Sequence, residues 1–143
     1  MVDINELNIG GAYIKKDELK EINTGVILGD LRIQKSKEYS DQYLFNVRLN
    51  EDMEGEIPFN KTSIGILAES DEFGKQTENW VGNKILVIKR MVKISSNKQQ
   101  EIVLVFPDGT DADEIDKNFR KVAHMLEGMN KKGKEEQIET IEG

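Results

Sequence analysis

The chain has 143 residues, 37% hydrophobic and 33% charged, enough for one domain and an appendage with a modest core under a heavily charged surface. It has no cysteine, which excludes disulfides and thiolate chemistry and fits a cytoplasmic protein, and its single histidine, His124, leaves almost no scope for a histidine-based metal site. A net charge of −7 argues against a strongly basic nucleic-acid binder, the lack of any run of about 18 apolar residues means that no membrane span is expected, and no membrane partner is expected because the polar face of the C-terminal helix carries both signs of charge.

Residues 1–23 read as a lead-in. They begin without a basic stretch or a long apolar one, so no signal peptide is expected. Gly10-Gly11 marks a turn, and Lys15–Lys20 suits one short helical turn. The first strand is expected from Gly25 to Gln34, with Ile27, Leu31 and Ile33 on one face and Gly29 as the site of a bulge or bend. Lys35–Asp41, which contains Tyr39, reads as a hairpin loop. The second strand, Gln42–Leu49, alternates clearly: Tyr43, Phe45, Val47 and Leu49 fall on one face, and Leu44, Asn46 and Arg48 on the other. Asn50–Gly55 reads as an acidic turn and Glu56–Phe59 as a short third strand, where Pro58 removes a donor and implies a free edge or a bulge.

Asn60 is placed to cap a helix running to Leu67. Thr77–Gly82 then leads into the most hydrophobic segment, a fourth strand over Lys84–Ile94. Leu86, Ile88, Val92 and Ile94 share one face with Arg90, while Ile85, Val87 and Met91 share the other with Lys89 and Lys93. A turn at Ser95–Lys98 leads to a fifth strand, Glu101–Phe106, which Pro107-Asp108-Gly109 stops. This order, with a helix between strands three and four, is that of the OB-fold, a five-stranded Greek-key barrel. The expected fold is therefore mainly β, an OB-like barrel over residues 1–109. Beyond it Asp111 and Glu114 form a capping pair. Ile115, Phe119, Val122, Leu126 and Met129 then make a narrow apolar stripe on a C-terminal helix over 110–130. Residues 131–143 are polar and expected to be a disordered tail.

Three segments carry a resemblance. Tyr13-Ile14-Lys15-Lys16-Asp17-Glu18-Leu19, Phe59-Asn60-Lys61-Thr62-Ser63 and Asn79-Trp80-Val81-Gly82-Asn83-Lys84 resemble the Tyr-Leu-Lys, Asn-Lys-Thr and Trp-Val/Ile-Gly-Lys elements of a family of short, mostly uncharacterised phage- and prophage-encoded proteins. The likeness covers about residues 8–107. It departs at Asn83, inserted between the glycine and the lysine, and at Phe59, where a leucine is usual. It implies a barrel with a role in nucleic-acid transactions of a mobile element, and it brings no catalytic residue.

No motif for catalysis or a cofactor stands out. There is no phosphate loop of the Gly-x-x-x-x-Gly-Lys kind. Asp111 and Asp113 begin like a calcium loop, but Ile115, Asp116 and Val122 occupy positions that need a ligand, a glycine and a bidentate glutamate. An enzyme is not expected, nor a metal or cofactor. Charge distribution is more telling than its sum. Between Glu78 and Glu101 there is no acidic residue, and Lys84, Lys89, Arg90, Lys93 and Lys98 give a local charge of +5. Such a window suits a phosphate-binding face, or equally an edge strand whose lysines discourage pairing. Trp80 suits a base-stacking platform or, better, a core plug, and the direction of the Tyr43–Phe45 face is open. The leading expectation is a binding module for single-stranded DNA or RNA, with Arg48, Lys61, Lys89, Arg90 and Lys93 following the phosphates and Tyr39 and Tyr43 stacking on bases. The alternative is a self-association or protein-interaction module working through the C-terminal helix.

Overall fold

The structure, a computed structural model, describes residues 13–35, 37 and 41–142, with side chains as far as Met129. Gly10-Gly11 and Tyr39 lie outside the described residues. Six strands and two α-helices follow one another: β1 (Ile22–Ile27), β2 (Arg32–Gln34), β3 (Gln42–Leu49), β4 (Met53–Pro58), α1 (Lys61–Ala68), β5 (Lys84–Ser95), β6 (Lys98–Pro107) and α2 (Ala112–Glu142). Short 3₁₀ turns occupy Lys16–Glu18 and Thr77–Trp80. No described helix is long and apolar enough to cross a membrane.

The expected first strand is broken in two, which is why there are six strands rather than five. Ile27 pairs with Val47 and Arg32 with Leu44, so residues 28–31 stand opposite only Phe45 and Asn46. The Leu28 and Gly29 N–H groups both donate to the Asn46 carbonyl, at 2.7 and 3.3 Å. This is a bulge at Gly29, where surplus chain bends the strand. β4 begins earlier than expected. Asn50 and Glu51 take positive φ values of 53° and 72°, which tightens the turn and leaves Met53–Gly55 to pair with β3. β6 is longer than expected because the turn before it needs only Ser96 and Asn97.

Sheet order runs β4–β3–β1–β5–β6, with β2 continuing β1 along the same edge of β3. Among the described residues β4 and β6 do not pair, so the sheet is open rather than a closed ladder. β4 instead carries Tyr13 on its outer edge in a parallel bridge, with the Ile14 N–H donating to the Glu56 carbonyl at 3.0 Å. β6 is held by the first turn of α1. Asn60 Oδ1 accepts from the Ser63 N–H at 2.9 Å, the expected cap, while Asn60 Nδ2 donates to the Val103 carbonyl at 2.8 Å. Buried Ser63 accepts the Val105 N–H on Oγ at 2.9 Å. Side chains of one helical turn thus supply to β6 what a ladder partner would.

The described chain forms two compact units, one from the residues up to Lys89 with Val103–Thr110, the other from Arg90–Ile102 with the residues from Asp111 on. Phe45, Val47 and Leu49 of β3, Phe59, Leu67, Phe73, Trp80, Ile85, Val87 and Val105 build the core of the first. Phe45 stacks on Phe59 and Trp80, with ring centroids 4.3 and 5.4 Å apart, and Phe73 meets Trp80 edge-on. Gly25 is required where β1 crosses β3, because a β-carbon there would run into the Arg48 carbonyl. Asn23 is fully buried yet satisfied: its amide donates to the Lys20 and Val87 carbonyls, and its oxygen accepts from the Lys20 N–H and from Asn50.

In the second unit the buried residues of β5 are Val92 and Ile94, where in the first they include Ile85 and Val87. Ile102, Ile115, Phe119 and Val122 are buried as well. The expected helical stripe is therefore buried through Val122, half-buried at Leu126 and exposed at Met129. Asp111 Oδ1 accepts the Glu114 N–H at 2.8 Å and starts α2 as expected. Helical backbone continues through the polar segment to Glu142.

Candidate nucleic-acid interface

The two faces of β3 have opposite roles. Phe45, Val47 and Leu49 are fully buried in the first unit's core, which fixes that face as the inner one. Tyr43 lies on it too, half-buried at its end, cross-strand from Ile33. Trp80 is fully buried, and its indole N–H donates to the Gly74 carbonyl at 2.9 Å. Phe45 and Trp80 are therefore spent on the core, Trp80 as the expected plug with its polar tip satisfied.

On the other face of β3 Leu44 is fully buried, and the charged groups beside it are paired. Arg48 is exposed opposite Glu54 and meets it at 3.2 Å. Arg32 binds Glu56 with Nε at 2.9 Å and Nη2 at 2.7 Å, a fork on a carboxylate that is only 5% exposed. The hydrogen bonds that Arg32 donates to Glu56 raise the Arg32 pKa above its ordinary value. Tyr13 reaches across the same side, its hydroxyl donating to Gln34 at 2.8 Å. Each guanidinium here already faces a carboxylate, so this face offers phosphate little uncompensated charge.

The other expected cations divide between the units. Lys61 is exposed at the start of α1. Lys89 is half-buried and donates to the Lys16 carbonyl at 3.0 Å, which ties it to the lead-in. Arg90 and Lys93 belong to the second unit and are exposed. There they line a shallow groove of about 330 Å³, together with Met91, Val92, Asp116, Phe119, Arg120 and Ala123. Arg90 Nη1 lies 2.6 Å from Asp116 Oδ1, and its guanidinium carbon sits 4.8 Å from the centre of the Phe119 ring. Among the described residues neither Lys93 nor Arg120 has a carboxylate partner, so the lining holds three cations against one carboxylate, together with exposed Met91 and buried Phe119.

Sequence reasoning missed Arg120 and gave Phe119 only a packing role. The signal was faint but present: Asp116, Phe119, Arg120 and Ala123 fall at spacings of three, one and three, on one side of a helix. Only the fold brings that side to the basic end of β5. Among the described residues no group of three or more histidines and carboxylates is gathered as a metal would require. No protein-family model, no curated protein and no solved structure matches the chain.

Proposed function

We propose that this protein is a non-catalytic module that binds single-stranded nucleic acid through the groove lined by Arg90, Lys93, Arg120, Met91 and Phe119. The observation that carries the reading is the excess of three cations over one carboxylate in a groove also lined by Met91, Val92 and Phe119. That is the combination single strands use: phosphates follow the positive charge and bases meet aromatic or apolar surface. Supporting it is an element order like that of an OB-type barrel, with the first turn of α1 bonded to β6 through Asn60 and Ser63. The resemblance to phage-encoded proteins points the same way. Relative to the sequence expectation, the interface moves off Arg48 and Tyr43, one charge-paired and the other on the inner face, and onto the second unit.

The test is a fluorescence-anisotropy titration with a single-stranded 15-mer at low salt. Micromolar binding that weakens about 100-fold or less on raising salt fits three phosphate contacts. No binding at tens of micromolar, or unchanged binding by a variant carrying Lys93→Gln and Arg120→Gln, would overturn the reading. A second reading, contact with a protein partner or a second copy through α2, is favoured by the exposure of Met125 (54%) and Met129 (68%). It predicts a concentration-dependent change in sedimentation that Met125→Glu with Met129→Glu abolishes.

A further inference from the structure

Resting on the reading just given, we infer that Asp116 is a latch: it holds Arg90 over Phe119, and an incoming phosphate draws Arg90 away and uncovers the ring as a stacking platform for a base. Three observations on one cluster lead there. Phe119 is only 3% exposed although it lines an open groove, and the Arg90 guanidinium lies 4.8 Å from its centre. Asp116 contacts that guanidinium at 2.6 Å, from the helical position three residues before Phe119. Both partners are solvated, with Arg90 and Asp116 side chains 41% and 44% exposed.

That exposure matters. A pair so open to water is weakly held, so a phosphate competes with Asp116 for Arg90 at little cost. Arginine suits both states, since its planar group stacks on a ring and also grips an oxyanion with a fork. Lys93 and Arg120, on the same groove, raise the local phosphate concentration in which the exchange takes place. Asp116 is thus a positioning residue, acting on the ligand through Arg90. In the free protein it keeps an aromatic face covered. In the complex its carboxylate is left beside the bound strand, an unfavourable neighbour that limits affinity.

The experiment compares a dT 15-mer with an abasic 15-mer on the full chain, for the wild type, Asp116→Asn and Asp116→Glu. Expected results are wild-type preference for the base-bearing strand by roughly tenfold, as one stacked base gives. Asp116→Asn should tighten binding about three- to fivefold, the scale of an exposed ion pair removed. It should also steepen the log–log salt dependence by up to about 0.7, because the Asp116 carboxylate freed in the wild-type complex takes up a cation that offsets part of the counterion release. Asp116→Glu should restore the wild-type slope. A structural role alone would not move that slope. Phe119→Leu should lose the preference for bases and keep the slope. Should that variant not fold, the wild-type comparison of the two strands still decides whether a base is stacked. If the wild type binds both strands equally and Asp116→Asn leaves affinity and slope unchanged, the latch is refuted while the groove reading stands. If the wild type binds neither strand, both fall together.

Discussion

Replacing Ser63 by alanine removes one hydroxyl and little else, and that hydroxyl is what Val105 of β6 bonds to. Ser63 is fully buried and Val105 is 1% exposed, so water does not substitute for the lost acceptor. Leaving one buried N–H without a partner costs about 1–3 kcal/mol. Alanine is the better helix former by about 0.5 kcal/mol, which offsets part of that. The balance is a loss of roughly 0.5–2.5 kcal/mol, or a fall in Tm of about 3–5 °C for each kcal/mol in a chain of this length. Urea unfolding followed by the fluorescence of Trp80, the only tryptophan and a fully buried one, measures it directly. Native-state hydrogen exchange adds a local readout, faster exchange of the Val105 amide ahead of its β5-facing neighbours. Lys61→Ala, on the exposed side of the same turn, serves as control and should stay within about 0.5 kcal/mol of the wild type. An unchanged urea midpoint together with unchanged Val105 protection would refute the claim that α1 side chains stand in for a strand at β6.

Gly25→Ala forces a β-carbon against the Arg48 carbonyl, so β1 and β3 must separate, and a loss of about 1–3 kcal/mol in chemical denaturation is expected. A loss below 0.3 kcal/mol would show that the approach is not tight. Asn23→Leu strands the buried Val87 carbonyl and removes the tie to Asn50, and should cost about 2–4 kcal/mol; wild-type stability in a thermal melt would contradict it. Asp111→Ala removes the α2 cap, with an expected loss of about 0.5–2 kcal/mol and a decrease in helical circular dichroism that Asp111→Ser largely restores.

Much of the architecture was legible in the residues. Period-two alternation marked β3, and the caps at Asn60 and Asp111 fall where the hydrogen bonds to Ser63 and Glu114 put them. Gly29 marked the bulge. These signals are local: each depends on neighbours within a few residues, and the physics of a cap or a pleat is complete at that range. The alternation of β3 specified two faces without saying which was inside. That choice was made by Phe59, Phe73 and Trp80, distant in sequence, closing on Phe45. The acid-free window after Glu78 was equally visible as composition, but the fate of each cation was a tertiary matter. Lys89 is bound to a carbonyl 73 residues earlier, and Arg90 to a carboxylate 26 residues later. The sequence by itself determined the elements, their order and where positive charge is concentrated. Only the tertiary structure decided which charges are compensated and which aromatic rings are within reach of a ligand, because those depend on contacts that chain folding creates between residues with no local reason to meet.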